Sequence, residues 1–423
     1  MGGIPLNNSK KKKTIYLFTD EFPWGRGEKS FVSPELDHLK KYFQVVIISL
    51  SPDKYLEQYD LISHISQDVH VIHYSRSSLL KRILLGLKIG FGKIGIRELS
   101  LLKEKGFSLG RLLSAIYALG NSEDLRSFCS RLGIFSDVDN SIYYAFWFNT
   151  QCLALAIEKT LGKKITIVAR VHGYDLYKER RNFSYQPFQE FKRDMCDRVF
   201  FACDYAMEYF GHEYGDELFK GQYKLNYLGV RPGYKTACRS NDNKFRIVSC
   251  SRVDSNKRVG IIVEALSKLD RNKYCWTHFG DGSLRDQIEK RAKEEELQVS
   301  FKGNVSNSEI IKYYASNPVD LFITTTATEG GCPVSIQEAV SFGIPVIGTK
   351  VGGVPEAING NGVIVGPDPT ADEVAKAIEA ISLLGDNEID ALREKSLEIW
   401  ETKFDLEKNK RTLINEMRQL LEN

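Results

Sequence analysis

At 423 residues the chain is long enough for two domains of ordinary size, each with its own core. Hydrophobic residues make up 42% and charged residues 27% of it, which fits a soluble globular protein and excludes a disordered or fibrous one. The net charge of +3 gives no reason to expect nucleic acid as a partner, and no apolar run reaches the roughly 20 residues that span a bilayer.

The eight cysteines stand singly, without CxxC or Cys/His zinc spacing, as expected of reduced thiols in a cytoplasmic protein. A basic run at 10–13 leads into a strand and not into a signal-peptide core. From Thr14 to Thr19 the sequence reads as a first strand, and 31–41 as the helix that follows. The loop between them carries Gly25 and Gly27. A glycine loop after strand one, backed by a helix N-terminus, is where doubly wound domains receive phosphate or sugar. Ser30 stands where a dinucleotide fingerprint would need its third glycine.

Further strands are expected at 45–50 and 69–72. Between 76 and 113 the chain turns basic, with nine Lys or Arg against only Glu98 and Glu104. Leu80, Ile83, Leu84 and Leu87 follow helical spacing, with Lys81 and Lys88 off that stripe. Such a helix either packs on the sheet or lies on an anionic membrane surface. An aromatic strand at 141–149, a core strand at 165–170 and strands at 197–202 and 224–228 complete this half. The 165–170 strand runs into His172-Gly173-Tyr174-Asp175, a histidine and an aspartate at the carboxyl end of a parallel strand. Asp137-Val138-Asp139 reads as a polar turn.

Polar, aperiodic sequence at 233–243 is expected to link the two halves. The second half opens on a strand at 245–250, and Arg252 and Lys257 lie five apart in the loop behind it, spaced to hold a phosphate. Gly280-Asp281-Gly282 and the 299–305 stretch with Lys302 end later strands. The strand at 319–324 leads into Glu329-Gly330-Gly331-Cys332-Pro333, then a helix with Glu338, then a strand at 344–348. In such a βαβ unit ligands sit outside the carboxyl ends of the strands. With Pro333 at the first helical position, the amides of Gly330, Gly331 and Cys332 could face an anion. Glu338, about a turn and a half into the helix, could accept hydrogen bonds from a diol.

The stretch from Glu329 to Glu338-Ala339 resembles the C-terminal signature of retaining GT-B glycosyltransferases, the large family 4 group that moves sugars from nucleotide donors. Its two glutamates stand one residue further apart here than in the family's pattern. The pair Arg252 and Lys257, the G-D-G-x-L turn at Gly280, the V-x-F-x-G-x-V segment at Val299 and the glycine turn from Gly348 to Glu356 resemble the family as well.

The resemblance implies an α/β GT-B fold, two Rossmann-like doubly wound domains facing across a cleft. The first would cover 1–232, with a helix at 404–423 packing back on it, and the donor domain 244–403. It implies transfer of a sugar from a UDP- or GDP-linked donor to a hydroxyl of a glycan, one carried on a lipid, in bacterial surface-polysaccharide synthesis. The catalytic residues would be His172, Arg252, Lys257 and Glu329. Donor contacts would come from Gly25, Gly27, Asp175, Gly282, Lys302, Gly330, Gly331, Cys332 and Glu338. No metal or other cofactor is expected. The implied place is the cytoplasmic face of a membrane, with 76–113 on the lipid. The alternative is a noncatalytic nucleotide-sugar sensor or membrane-surface scaffold of the same fold.

Overall fold

The structure is a computed structural model that describes residues 12–25, 28–56, 69–215, 221–233 and 236–422. Gly27, the start of the 10–13 run, 234–235 in the expected linker and residue 423 lie outside them. The chain divides into two units, Met1–Phe201 with Met207–Asn226 and Lys410–Asn423, and Ala202–Ala206 with Tyr227–Asn409.

The first unit is built on a parallel sheet of β1 (Thr14–Thr19), β2 (Gln44–Ser49), β3 (His70–His73), β4 (Ser141–Ala145), β5 (Thr166–Val171), β6 (Arg198–Phe201) and β7 (Tyr223–Leu225). Their order is β3-β2-β1-β4-β5-β6-β7. Such sheets are covered on both faces, so their strands read as continuous apolar runs; all five residues of β4 are buried. The aromatic run ends as a strand at Ala145, and 146–149 turn to bring Asn149 to the N-cap of helix Thr150–Thr160.

The helix Leu406–Glu422 contributes Leu413, Ile414 and Met417 to the core of this unit. Each is at most 2% exposed, and burial of side chains of this size stabilises by about 1.5–3 kcal/mol each. Beside them Lys410 donates to Glu35 (2.7 Å), which also accepts from Tyr144 (2.5 Å) and Arg170 (3.2 Å). Arg170 further donates to the carbonyl and side-chain oxygens of Asn226 (2.9 and 2.7 Å). Both cations of this buried cluster share the Glu35 carboxylate, and pairing is the condition under which buried charge is tolerated. Despite its burial the two cations hold the Glu35 carboxyl down to about 2.

The basic segment folds as helices Leu79–Gly90, Lys93–Glu104 and Leu109–Arg131. Gly86 and Gly120 let the first and third meet backbone to backbone. A Cβ on Gly86 would lie 2.1 Å from the Ile116 carbonyl oxygen, and one on Gly120 1.9 Å from that of Arg82. Because the crossing runs through glycines, the leucine stripe is left outside it: Leu80 is 68% and Leu84 58% exposed, with Leu79, Ile83, Leu87 and Phe91 exposed alongside. Packing of that stripe on the sheet, one of the two arrangements expected from sequence, does not occur.

The second unit has β8 (Phe245–Cys250), β9 (Tyr274–Phe279), β10 (Gln298–Phe301), β11 (Leu321–Thr324), β12 (Val346–Thr349) and β13 (Gly362–Val365), all parallel, in the order β10-β9-β8-β11-β12-β13. The strand order reverses between β8 and β11, the crevice where doubly wound sheets take ligands. Residues 236–243 pack on this unit: Ala237 N–H donates to Phe342 O (2.9 Å), and the Ser240 hydroxyl to Asp320 (2.5 Å). The terminal helices run Asp386–Ile399 and Leu406–Glu422, separated by a wide turn at Trp400–Phe404. Among the described residues no helix is long and apolar enough to cross a membrane.

Candidate active site

In the first unit, the loop after β1 closes on its own carboxylate. Glu28 is 3% exposed and accepts from the amides of Asp20 (3.0 Å), Glu21 (2.6 Å) and Phe22 (2.6 Å), and from the Trp147 indole. Gly25 donates its amide to Glu21 O (2.7 Å). The amides of Asp20, Glu21, Phe22 and Gly25 are therefore occupied from within.

His172 follows β5 and is partly buried, with Nε2 3.1 Å from Phe146 O and its ring against Trp147 and Phe146. Burial and the nearby Arg170 guanidinium push its pKa down to about 3, so the imidazole is neutral at physiological pH. Asp175 is 2% exposed, and its two oxygens accept from the amides of His172 (2.7 Å) and Phe148 (2.6 Å). Burial raises its pKa. It joins the ends of β4 and β5, and neither oxygen lacks a donor.

The second unit differs. The loops behind β8 and β11 flank the switch point and are stitched together: Ala327 N–H donates to Asn256 O (2.7 Å), and Thr328 Oγ1 to Asn256 Oδ1 (2.8 Å). Arg258, at φ +48°, turns its guanidinium back onto Thr325 O (2.8 Å) and Thr326 O (2.9 Å). That fold-back brings Lys257 onto Glu329 in a partly buried ion pair. Arg252 is the open cation, its side chain 75% exposed and 3.2 Å from Asp254.

Pro333, expected at the first helical position, stands one residue before helix Val334–Ser341, at ψ 135°. The amides of Gly331, Cys332, Val334 and Ser335 find no acceptor among the described residues, the open end that attracts an anion. Cys332 is buried, and burial raises its thiol pKa. The 352–353 turn fits under this loop only because it is glycine: Gly352 sits at φ +49°, and a Cβ there would lie 2.2 Å from Glu329 O.

Glu338 is 5% exposed and accepts from Asn307 Nδ2. Burial lifts its pKa to about 7, against the lowering by Asn307. Cys250, at the end of β8, senses the charges of both Glu338 and Lys257, which puts these groups at one end of the sheet. Gly282 has a packing role, since a Cβ would lie 2.4 Å from Val253 O. Lys302 is exposed at the end of β10.

Residues 232–396 match the family model described as glycosyl transferases group 1. They are a glycosyl transferases group 1 domain. The domain thus contains both stitched loops, the open amides and Glu338. Several curated relatives share sequence with the chain. The amylovoran biosynthesis glycosyltransferase AmsK of Erwinia amylovora is 31% identical over 27% of this chain and 30% of its own length. The GalNAc-alpha-(1->4)-GalNAc-alpha-(1->3)-diNAcBac-PP-undecaprenol alpha-1,4-N-acetyl-D-galactosaminyltransferase of Campylobacter jejuni is 27% identical over 33% of this chain and 38% of its own. The chain thus spans about a third of the length of these relatives. Among solved structures, Anabaena Alr3699/HepE in complex with UDP aligns over 96% of this chain and 100% of its own, with TM-score 0.68 at 15% identity, and so shares the GT-B fold.

Two residues of the glycosyl transferase domain carry no signal of their role in the sequence. Asn307 faces Glu338 from 31 positions away, a contact with no local pattern. Glu356 accepts from the amides of Asp204 and Tyr205 (both 3.0 Å) and from Tyr227 OH (2.6 Å); its place in the glycine turn is visible in the sequence, its partners are not.

Proposed function

We propose that the chain moves a sugar from a UDP- or GDP-linked donor to a hydroxyl of a glycan, with retention of anomeric configuration, in the synthesis of a surface polysaccharide. The observation that carries the reading is the switch point of the second sheet. There a paired lysine, an exposed arginine, open amides and a buried carboxyl that titrates near neutrality meet within a glycosyl transferases group 1 domain.

Arg252 and Lys257 take up the charge that develops on the leaving diphosphate, together with the amides of the 331–335 loop. Glu329 holds Lys257 in place and faces the donor sugar. Glu338 and Asn307 hold the ribose diol. On the same face of the sugar the bond to the donor oxygen breaks as the bond to the acceptor oxygen forms, and the departing phosphate takes the acceptor's proton. His172, uncharged and capping its own turn, does not serve as an acid.

The name of the Erwinia relative supports the polysaccharide, and the UDP of the Anabaena structure supports the donor. The PP-undecaprenol in the name of the Campylobacter relative supports an acceptor carried on a lipid. For the membrane itself the exposed leucines of helix Leu79–Gly90, flanked by Lys81 and Lys88, form an apolar face edged with cations, suited to an anionic bilayer.

The test is incubation with a panel of UDP- and GDP-sugars and glycan acceptors in a chelator, with the product anomer read by NMR. Formation of an α-product from an α-donor is expected. Inversion, or no nucleotide release with any pair, overturns the reading. Sedimentation with vesicles containing phosphatidylglycerol, and not with phosphatidylcholine alone, tests the membrane face; equal binding to both removes the role of its cations.

A further inference from the structure

The carboxyl edge of the first sheet holds an open cavity of about 160 Å³ that none of the roles above uses. Leu50 and Tyr74, which follow β2 and β3, are its buried lining residues, and Thr150 opens the helix behind β4. Arg76, Tyr117 and Asn121 complete the wall. The order of this sheet reverses between β1 and β4, so this is an edge where doubly wound folds take ligands.

Two guanidinium groups at this cavity lack a carboxylate partner. Arg76 is exposed and makes no hydrogen bond or ion pair among the described residues. Arg82 donates to the Ser77 carbonyl (3.0 Å), the Tyr117 hydroxyl (3.4 Å) and the Asn121 side-chain oxygen, all of them uncharged. The carboxylates nearby are engaged by other groups. Asp124 accepts from Tyr74 (2.6 Å) and twice from Ser77 (2.9 and 2.6 Å), with Lys81 3.9 Å away. Asp20 accepts from Asn149 (2.9 Å) and Gln151 (2.8 Å).

The cavity's own tyrosine registers the surplus of positive charge. Against the effect of burial, hydrogen bonds from Arg82 and Asn121 and the charges of Arg82 and Arg76 lower the pKa of the Tyr117 hydroxyl. Surroundings that favour negative charge on a phenol favour it on a ligand. These groups are also within a ligand's reach: Arg76 is exposed, Tyr117 is 44% exposed and Asn121 is half-buried. The volume equals that of about five waters at ~30 Å³ each, which a phosphate or diphosphate group fits. Helix Leu79–Gly90, with its exposed leucines, begins three residues after Arg76, and Arg82 on that helix is bonded to Tyr117. The cationic cavity therefore adjoins the apolar face.

We propose that this cavity binds the phosphate group through which the glycan acceptor is joined to its lipid. Arg76 pairs with the phosphate oxygens, Tyr117 donates its hydroxyl proton to one of them, and the hydrocarbon leaves along the exposed leucines of helix Leu79–Gly90. The inference rests on the reading of a lipid-carried acceptor given above and names the residues that would recognise it.

Calorimetry of the full chain with farnesyl diphosphate, without any sugar donor, tests it. Farnesyl diphosphate is expected to bind, and farnesol at least tenfold more weakly. Arg76→Ala is expected to weaken farnesyl diphosphate about tenfold, the size of one lost hydrogen bond to a charged group, and Arg76→Lys to recover part of the loss. Because Arg76 is exposed and unpaired, the thermal midpoints of both variants are expected to hold, which separates lost binding from lost folding. Two further arms identify the source of the phosphate. Excess UDP is expected to leave the probe in place, and Arg76→Ala to leave sedimentation with phosphatidylglycerol vesicles largely unchanged, since Lys81 and Lys88 remain. Displacement by UDP would give the site to the donor, and loss of sedimentation would give it to bulk headgroups; either overturns the proposal. So does farnesyl diphosphate that binds no better than farnesol or that ignores Arg76→Ala. Failure of the transfer reading would show differently, as absence of nucleotide release with the probe still bound.

Discussion

The loop after β1 and the loop after β11 are built alike, each a strand, a glycine turn and a helix at the carboxyl edge of a parallel sheet, yet they treat their backbone amides in opposite ways. In the first, Glu28 supplies an acceptor for three amides; in the second, the amides of Gly331 and Cys332 are open, and the neighbouring carboxylate Glu329 is held by Lys257. An amide nest filled by its own chain is fixed in shape and has nothing to offer an anion. One left open stores that capacity for a ligand. The comparison assigns stability to the first loop and recognition to the second.

The largest effect is expected from removing Arg252, the exposed cation beside the open amides. Arg252→Ala is expected to lower turnover by about 10²–10³-fold, the cost of removing one preorganised group that stabilises transition-state charge. Its thermal midpoint should not move, because the side chain is 75% exposed. Sugar-transfer rates at saturating donor check this, and wild-type turnover in the variant would remove Arg252 from the diphosphate. The reciprocal change is Glu28→Gln, which replaces one accepting oxygen by a donor facing N–H groups. It is expected to cost about 3 kcal/mol of folding free energy, read from urea unfolding, with nucleotide affinity unchanged.

A smaller effect is expected at Glu338. Its carboxyl pKa is raised from 4.5 to about 7 in the folded chain, so the folded state binds more protons than the unfolded state between those values. Its contribution to stability is then present at low pH and declines as pH rises through about 7. A diol needs the ionised form as acceptor, so nucleotide affinity is expected to rise with pH up to about 7 and then level off. Glu338→Gln should lower affinity about tenfold and flatten both dependences, as calorimetry at pH 6 and 8 would read; an unaltered pH dependence in the variant would clear Glu338 of that role. The smallest effect concerns His172. With its pKa near 3 it should add no limb to the rate profile between pH 5 and 8, and His172→Gln should lower the rate without changing the profile's shape.

The sheets were legible in the sequence because buried parallel strands are continuous apolar runs, so β1, β4, β5 and β8 to β12 fall close to where their residues indicate. Lys257 and Glu329 fall in the loops behind β8 and β11, and Glu338 on the helix that follows, as the strand and turn pattern indicates. Pro333 missed by one position because proline fixes φ and leaves ψ open, so it serves equally well just before a helix. The role of Glu28 was hidden because it depends on three amides that converge only once the loop has closed. Asn307 was hidden because its partner lies on another βα unit. The leucine stripe of helix Leu79–Gly90 showed its periodicity, but its direction was decided by Gly86 and Gly120, whose meeting is a tertiary event.

The buried cluster of Glu35, Arg170 and Lys410 carries a consequence for biogenesis. A nascent chain emerges from its N-terminus, so Glu35 and Arg170 leave the ribosome more than two hundred residues before Lys410. Until then the pair lacks its second cation, and the apolar floor that Leu413, Ile414 and Met417 cover is bare. The second unit, whose residues end at Asn409, can complete its own core first. The half of the protein that is made first is therefore the half that finishes folding last, and during that interval its uncovered floor is a natural surface for a chaperone to hold.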